Sequence, residues 1–209
     1  CCIVAAGPSP SFIVPGAFVI AADGGLEKLR EDGITPDLVM GDFDSLGENP
    51  TGDNVLTFPK EKDDTDTMLA IKEALRRGYE KIYISGAVGG RLDHTVANIQ
   101  SLIFAVKLGA EAYLCGGEET VTVINSGSVK FREKPSGRIS VFCLSDSATA
   151  VNISGLKYQA VGASLSNMFP IGVSNEFIGG EASVSLSSGI LGIIWDGVPD
   201  DITVSPKRD

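Results

Sequence analysis

The chain has 209 residues, of which 43% are hydrophobic and 21% charged, and this composition excludes a disordered or fibrous protein. Its formal net charge is −10, and the basic residues form no stripe. Because nucleic acids and anionic membrane surfaces attract basic proteins, we expect neither of them as a partner. The only histidine is His94, which excludes a zinc site built from several histidines.

The cysteines point to a reducing environment. The four cysteines form no C-x-x-C pair, so neither a zinc ribbon nor a redox dithiol is indicated. Cys115 and Cys143 lie in apolar, strand-like runs and are expected to be buried thiols. No signal peptide or apolar run of the ~20 residues of a membrane span is visible, so we predict a cytoplasmic protein. The chain begins at Cys1 without methionine, and we expect a few native residues before it.

Residues 1–127 alternate short apolar runs with helical stretches. In chain order the predicted elements are strands at Cys2–Ala6 and Phe18–Ala21, a helix at Leu26–Glu31, strands at Leu38–Gly41 and Val55–Phe58, a helix at Thr65–Arg77, a strand at Lys81–Ser85, a helix at Thr95–Leu108, and strands at Ala112–Cys115 and Val121–Ile124. Strands that alternate with helices form βαβ units. We therefore predict a Rossmann-like α/β domain with a mainly parallel sheet.

Residues 128–209 differ in charge and in texture. They hold 7 of the 17 basic and 8 of the 27 acidic residues, so nearly all of the net negative charge lies before them. The predicted strands are Val129–Arg132, Arg138–Leu144, Val151–Ile153, Ser164–Asn167, Ser174–Ile178, Glu181–Leu186 and Ile190–Trp195. Short alternating runs separated by Gly, Ser and Pro predict a small all-β sandwich or barrel as a second domain.

Carboxylates follow several consecutive strands of the first domain. They are Asp23, Asp42, Asp44, Asp63, Asp64, Asp66 and Asp93. In an open parallel sheet, ligands bind beyond the carboxyl ends of the strands. Asp42 and Asp44 point to the same side of an extended segment, where two carboxylates repel each other unless a cation lies between them. Mg²⁺ takes one or two carboxylates plus substrate phosphate, so the pattern favours a magnesium–phosphate site over solvated turns.

Some of these acids have an ordinary structural explanation, which is to cap a helix. Asp63 or Asp64 is well placed to cap the following helix, and Asp93 is placed similarly before the next one.

Lys62 and Arg91 offer positive charge beside the acids, and the Arg91 guanidinium matches the geometry of a phosphate. Neither a G-x-x-x-x-G-K-[ST] nor a G-x-G-x-x-G motif is present, which argues against a P-loop kinase and against NAD binding.

Five segments together resemble the thiamine pyrophosphokinase (thiamine diphosphokinase) family. They are ADGG (Ala22–Gly25), PDLVMGDFDS (Pro36–Ser45), KDDTDT (Lys62–Thr67), GGRLDHTVAN (Gly89–Asn98) and GVSNEF (Gly172–Phe177). The resemblance implies ATP-dependent, Mg²⁺-dependent pyrophosphoryl transfer to thiamine. It also implies a nucleotide-binding α/β domain at residues 1–127, a thiamine-binding β-sandwich at residues 128–209, and a homodimer with shared active sites.

The resemblance also implies roles for individual residues. The implied Mg²⁺ ligands are Asp42, Asp44 and Asp66, and the implied catalytic group adds Asp93 and Arg91. The implied ATP contacts are Asp23, Ser45, Lys62, Asp64 and Arg91. The implied thiamine contacts are Ser174, Asn175 and Tyr158. Without the resemblance, the Ser-Asn pair is equally typical of a turn.

Some choices stay open at this point. Some family members carry Trp where this chain has Tyr158, an aromatic residue that stacks on thiamine from the partner subunit. Trp195 is a rival for stacking, although its apolar run favours core packing. The general base is Asp66, Asp93 or Asp23. Alternative functions are a pyrophosphokinase that acts on another alcohol such as a hydroxymethylpterin, a metal-dependent glycosyltransferase with a D-x-D motif, and a non-catalytic thiamine sensor.

Overall fold

A computed structural model describes residues 1–43 and 50–206 of the chain. The chain divides into two compact units, Cys1–Gly117 and Glu118–Asp209. The domain boundary predicted near residue 127 falls within a strand of the second unit, Glu119–Phe131. Among the described residues, no helix has both the length and the apolar character required to cross a membrane.

The first unit contains a parallel β-sheet. Its strands are β1 (Cys2–Val4), β2 (Val19–Ala22), β3 (Leu38–Gly41), β4 (Val55–Thr57), β5 (Lys81–Ser85) and β6 (Glu111–Cys115), in the spatial order β6-β5-β1-β2-β3-β4. Cys2 pairs with Val19 on one side and with Tyr83 on the other. Each of these neighbouring pairs runs parallel, so the mainly parallel sheet predicted from the alternating pattern is confirmed.

Three helices connect these strands. They are α1 (Gly25–Glu31), α2 (Asp66–Arg76) and α3 (Leu92–Lys107). Thr65 caps α2 by accepting a 3.2 Å hydrogen bond from the Met68 N–H, so the expectation that Asp63 or Asp64 is the cap is wrong. Helix α3 begins at Leu92 rather than at Thr95, because Arg91 is the last residue with an extended backbone.

The second unit is built from antiparallel strands. They are β7 (Glu119–Phe131), β8 (Arg138–Cys143), β9 (Ser147–Ser154), β10 (Ala160–Ser166), β11 (Asn175–Glu176), β12 (Ala182–Asp196) and β13 (Ile202–Ser205). Strand β12 pairs with β7, β8 and β9, while β13 pairs with β7, β10 with β9 and β11 with β8. The aromatic core includes Phe131, whose ring centroid lies 5.2 Å from that of Phe177 and 5.6 Å from that of Trp195.

Two long strands replace two pairs of predicted short ones. Val121–Ile124 and Val129–Arg132 belong to β7, and Glu181–Leu186 and Ile190–Trp195 belong to β12, apart from a residue at an end. The pairing register of the two strands shifts between Leu186 and Ile190, which marks a bulge. A β-bulge bends a strand without ending its ladder, so Gly and Ser at such a position look like a turn in the sequence.

Candidate functional site

A cavity of about 450 Å³ lies in the first unit at the carboxyl ends of β1, β2 and β5. The segments that follow these strands line it, together with the first turns of α2 and α3. Backbone N–H groups at the start of a helix have no partner within the helix and attract anions. The cavity therefore combines the usual ligand position of a parallel sheet with two helix N-termini suited to phosphate.

Lys62 connects two of the predicted metal ligands. Its Nζ lies 2.8 Å from Oδ2 of Asp42 and 3.0 Å from Oδ1 of Asp66. The exposed fraction is 14% for the Lys62 and Asp42 side chains and 24% for Asp66. Burial alone would lower the pKa of Lys62, but its hydrogen bonds and charge interactions with the two carboxylates raise that pKa. The three side chains thus form a charged group at the edge of the cavity, which Asp66 lines.

The pKa of Asp66 is raised above the ordinary value of an aspartate. Burial raises its pKa, and the negative charges of Asp23 and Asp42 raise it further, against the lowering effect of Lys62. Asp23, which also lines the cavity, follows β2 in the left-handed backbone region with φ of 49°. The structure therefore brings Asp23 and Asp42 close to Lys62 and Asp66, although some 20 to 40 residues separate them in sequence.

Two predicted site residues, Asp44 and Ser45, lie outside the described residues. Asp64 points to another partner, because its carboxylate forms an ion pair of 2.7 Å with Lys72 on α2. Within residues 1–43 and 50–206, no three His, Cys, Asp or Glu side chains are grouped so that they could hold a metal ion.

Arg91 and Asp93 form an exposed pair at the start of α3. Arg91 Nη2 lies 2.6 Å from Asp93 Oδ2, and the two side chains are 71% and 63% exposed. The hydrogen bond from Arg91 lowers the pKa of Asp93 to about 2. Arg91 also lines the cavity. The pair therefore places a guanidinium, held by a firmly ionised carboxylate, at the mouth of the proposed phosphate site.

Sequence reasoning missed Lys28, a residue of α1 that holds one wall of the cavity. Its Nζ donates hydrogen bonds to the carbonyl oxygens of Gly7, at 2.6 Å, and of Ser9. The Ser9 hydroxyl in turn accepts a 3.0 Å bond from the Gly86 N–H, and the Gly7 N–H bonds the Gly86 carbonyl. A Cβ at Gly86 would collide with the Ala5 carbonyl, so this close approach requires glycine. Contacts over 21 and 19 residues between a helix lysine and a loop leave no local signal in the sequence.

The second unit holds the predicted thiamine contacts. Asn175 is buried, and its side-chain amide bonds both the N–H and the carbonyl of Tyr158, at 2.9 and 2.6 Å. Ser174 is exposed, has a left-handed backbone with φ of 60°, and donates its N–H to the Ser140 hydroxyl. Ser174, Asn175 and Tyr158 therefore lie in two adjacent segments, joined by the Asn175 amide.

Tyr158 and Trp195 have opposite surroundings. The Tyr158 side chain is 61% exposed, with the Lys157 ammonium 5.6 Å from its ring centroid. Trp195 is 1% exposed and packs edge-on against Phe131 in the core. Of these two aromatic residues, Tyr158 is the one whose ring is accessible to a ligand.

Two family models match the chain. The model described as "Thiamin pyrophosphokinase, catalytic domain" matches residues 13–114. The model described as "Thiamin pyrophosphokinase, vitamin B1 binding domain" matches residues 128–191. The first match contains the cavity-lining acids, and the second contains Ser174, Asn175 and Tyr158.

Individual proteins give the same result. The chain is 30% identical over 179 residues to a thiamine pyrophosphokinase of Bacillus subtilis (strain 168), a match that covers 82% of this chain and 84% of that protein. The crystal structure of thiamine pyrophosphokinase from Bacillus subtilis superposes with a TM-score of 0.82 at 27% identity, and covers 94% of this chain and 98% of that chain. A thiamin pyrophosphokinase family protein from Enterococcus faecalis superposes with a TM-score of 0.82 at 29% identity over the same shares. This chain therefore belongs to the thiamin pyrophosphokinase family.

Proposed function

We propose that this chain is a thiamine diphosphokinase, which transfers the pyrophosphoryl group of ATP to the hydroxyl of thiamine and releases AMP. The observation that carries the proposal is the cavity at the carboxyl ends of β1, β2 and β5, which Asp23, Asp66 and two helix N-termini line, with Lys62 paired to Asp66. The matched family models are those of a catalytic domain and a vitamin B1 binding domain. These matches favour thiamine over a hydroxymethylpterin or a nucleotide sugar.

Asp42, Asp44 and Asp66 would hold Mg²⁺ in this proposal. The donor set fits, because Mg²⁺ binds through one or two carboxylates and the oxygens of the substrate phosphates. Asp66 Oδ1 is buried and lies 3.0 Å from the Lys62 ammonium, so a positive charge is next to this oxygen in the structure. A carboxylate oxygen in such a position is suited to a metal ion in place of the ammonium. When bound, the ion would neutralise negative charge that the transferred phosphoryl group develops.

The remaining charged residues of the first unit would position ATP. Lys62 and Arg91 supply positive charge for phosphate oxygens, and Asp23, Ser45 and Asp64 would complete the nucleotide contacts. Asp93 is held ionised by Arg91 at a pKa of about 2, which makes it a weak base at neutral pH. We therefore propose that Asp93 orients Arg91 rather than removing the thiamine proton.

The second unit would bind thiamine. We propose that the exposed ring of Tyr158 stacks on the substrate, and that Ser174 and Asn175 lie beside it. The negative charge that favours a cationic substrate such as thiamine lies mostly in the first 127 residues. In this division of labour, the unit Cys1–Gly117 would be the Rossmann-like nucleotide-binding domain and the unit Glu118–Asp209 the thiamine-binding β-sandwich.

We also propose a homodimer with shared active sites and a cytoplasmic location. Several apolar side chains of the second unit are exposed, among them Val161, Met168, Phe169 and Ile171. Three of them fall within four residues of sequence, Met168–Ile171, and exposed apolar surface of this kind is typical of a protein–protein interface. Sedimentation at assay concentration should show a dimer, and a fully active monomer would contradict shared sites.

The free thiols of Cys2, Cys115 and Cys143 suit the reducing compartment that a cytoplasmic location provides.

One assay tests the catalytic proposal directly. The protein is incubated with ATP and Mg²⁺, and AMP formation is measured without acceptor, with thiamine and with a hydroxymethylpterin. We expect AMP and thiamine diphosphate in equal amounts when thiamine is the acceptor, and no AMP without acceptor or with the pterin. Thiamine binding without AMP release would indicate a sensor, and AMP release only with the pterin would indicate the alternative pyrophosphokinase. Hydrolysis of a nucleotide sugar in place of ATP would favour a glycosyltransferase.

A further inference from the structure

The Lys62 ammonium forms ion pairs with two carboxylates assigned to the metal. Its Nζ is within 3.0 Å of both Asp42 Oδ2 and Asp66 Oδ1, and these three side chains are at most 24% exposed. Partly buried charges lose much of their hydration, so the acids depend on a nearby cation to stay ionised at low cost. In this structure Lys62 provides that cation.

The ammonium and a divalent cation would compete for the same oxygens. A magnesium or manganese ion binds carboxylate oxygens at about 2.0–2.2 Å. An ion at that distance from Asp42 Oδ2 and Asp66 Oδ1 would lie a few ångströms from Lys62 Nζ, where two positive charges repel strongly in a site of low solvent exposure. Lys62 has a flexible four-carbon stem, so its ammonium can move away without a change in the backbone.

We propose that Lys62 is an internal counter-ion that the divalent cation displaces when the metal–nucleotide complex binds. This inference rests on the proposed function, since it assumes that Asp42 and Asp66 take the metal. Before binding, the ammonium stabilises both carboxylates. After displacement, the ammonium is free to bind the phosphate oxygens that arrive with the metal. The metal alone therefore binds weakly, whereas the metal with its nucleotide binds well, and Lys62 couples the two ligands.

Metal binding without nucleotide tests this inference. The full chain is titrated with Mn²⁺, and free Mn²⁺ is followed by electron paramagnetic resonance. Lys62→Met removes the competing charge, and we expect it to bind Mn²⁺ about tenfold more tightly than the wild type, because two partly buried acids lose the ammonium that lies between them. Lys62→Arg keeps a cation between the acids and should stay close to the wild-type affinity. Lys81→Met is the matched control. It removes a lysine that pairs with Glu111 and lies at the end of β5 away from the cavity.

The coupling is measured in the same titration with a non-hydrolysable ATP analogue. The analogue should tighten Mn²⁺ binding strongly in the wild type and much less in Lys62→Met. Circular dichroism and thermal unfolding establish that the variants are folded, and Lys62→Gln serves in place of Lys62→Met if the latter is not. Mn²⁺ binding to the folded variant that is no tighter than to the wild type would overturn the inference. If Mn²⁺ binding tightens in Lys62→Met but the wild type forms no AMP from ATP and thiamine, the proposed function fails and the displacement stands.

Discussion

The side-chain amide of Asn175 pairs with the backbone of Tyr158 on both of its polar edges. Nδ2 donates to the Tyr158 carbonyl at 2.6 Å, and Oδ1 accepts from the Tyr158 N–H at 2.9 Å and from the Glu176 N–H at 2.9 Å. Asn175 is 6% exposed, whereas the Tyr158 side chain is largely exposed. The buried amide therefore acts as a peptide-like clamp that holds an exposed aromatic residue in place.

This clamp predicts the effect of Asn175→Ala. The change leaves the Tyr158 N–H and carbonyl without these partners, so we expect thiamine affinity to fall by about 1–3 kcal/mol. Affinity for Mg²⁺ with a non-hydrolysable ATP analogue should stay unchanged, because the phosphate segments are untouched. Isothermal calorimetry measures both. Asn152→Ala is a matched control, since Asn152 also binds a backbone N–H, that of Gly162, but on β9. Undiminished thiamine affinity in folded Asn175→Ala would contradict the clamp, and equal loss of both ligands would indicate a purely structural turn.

The carboxylates of the first unit predict a loss of turnover. Asp42→Asn, Asp44→Asn and Asp66→Asn each remove one charge from a side chain of nearly unchanged shape. If these residues hold Mg²⁺–ATP, the rate of AMP formation should fall at least ~10²-fold, by analogy with the loss of a key electrostatic group in other enzymes. Asp53→Asn changes an exposed aspartate ahead of β4 and should keep the wild-type rate. Near-normal turnover of folded Asp42→Asn and Asp66→Asn would refute the assignment.

The hydrogen bonds of Lys28 to the loop after β1 predict a defect limited to nucleotide binding. Lys28→Met keeps the apolar stem but removes the donor for the Gly7 and Ser9 carbonyls. Hydrogen bonds from a charged group contribute about 1.5–3 kcal/mol, and we expect nucleotide affinity to weaken by a similar amount with little change for thiamine. Calorimetry with the ATP analogue measures this effect. Arg30→Met on the same helix is exposed and serves as the control. A drop in thermal stability with unchanged nucleotide affinity would assign Lys28 a structural role only.

Glu73 predicts how stability depends on pH. Its hydrogen bond to Arg76, together with that to Arg77, lowers the pKa of Glu73 from 4.5 to about 2. A carboxyl whose pKa is lowered by folding stabilises the folded state above its unfolded pKa, and this stabilisation is lost as pH falls through the folded pKa. The difference in unfolding free energy between the wild type and Glu73→Gln should therefore be full at pH 7 and shrink between pH 4.5 and pH 2. Urea unfolding at several pH values measures it, and a constant difference would contradict the lowered pKa.

The sequence by itself determined the features that depend on nearby residues in the chain, namely the strands and helices, the acidic strand ends and the family motifs. The alternation of apolar runs with helical stretches predicted the parallel sheet, because a buried strand and an amphipathic helix each have a periodicity of their own. Strand ends rich in Asp predicted a site at one edge of that sheet, since parallel strands bring their carboxyl ends together. The five motif segments, from Ala22 to Phe177, were enough to indicate the family that the comparisons then established.

Tertiary structure alone decided which side chains meet. Lys62 lies between Asp42 and Asp66, Lys28 bonds the carbonyls of Gly7 and Ser9, and Asn175 clamps Tyr158. Apart from the contact between Lys62 and Asp66, which are four residues apart, each of these contacts joins a side chain to a segment from another part of the chain, and spacing within one motif carries no information about it. The continuity of β7 and β12 through a bulge was also undetermined, because Gly and Ser favour turns locally and only pairing with a neighbouring strand keeps such a segment extended.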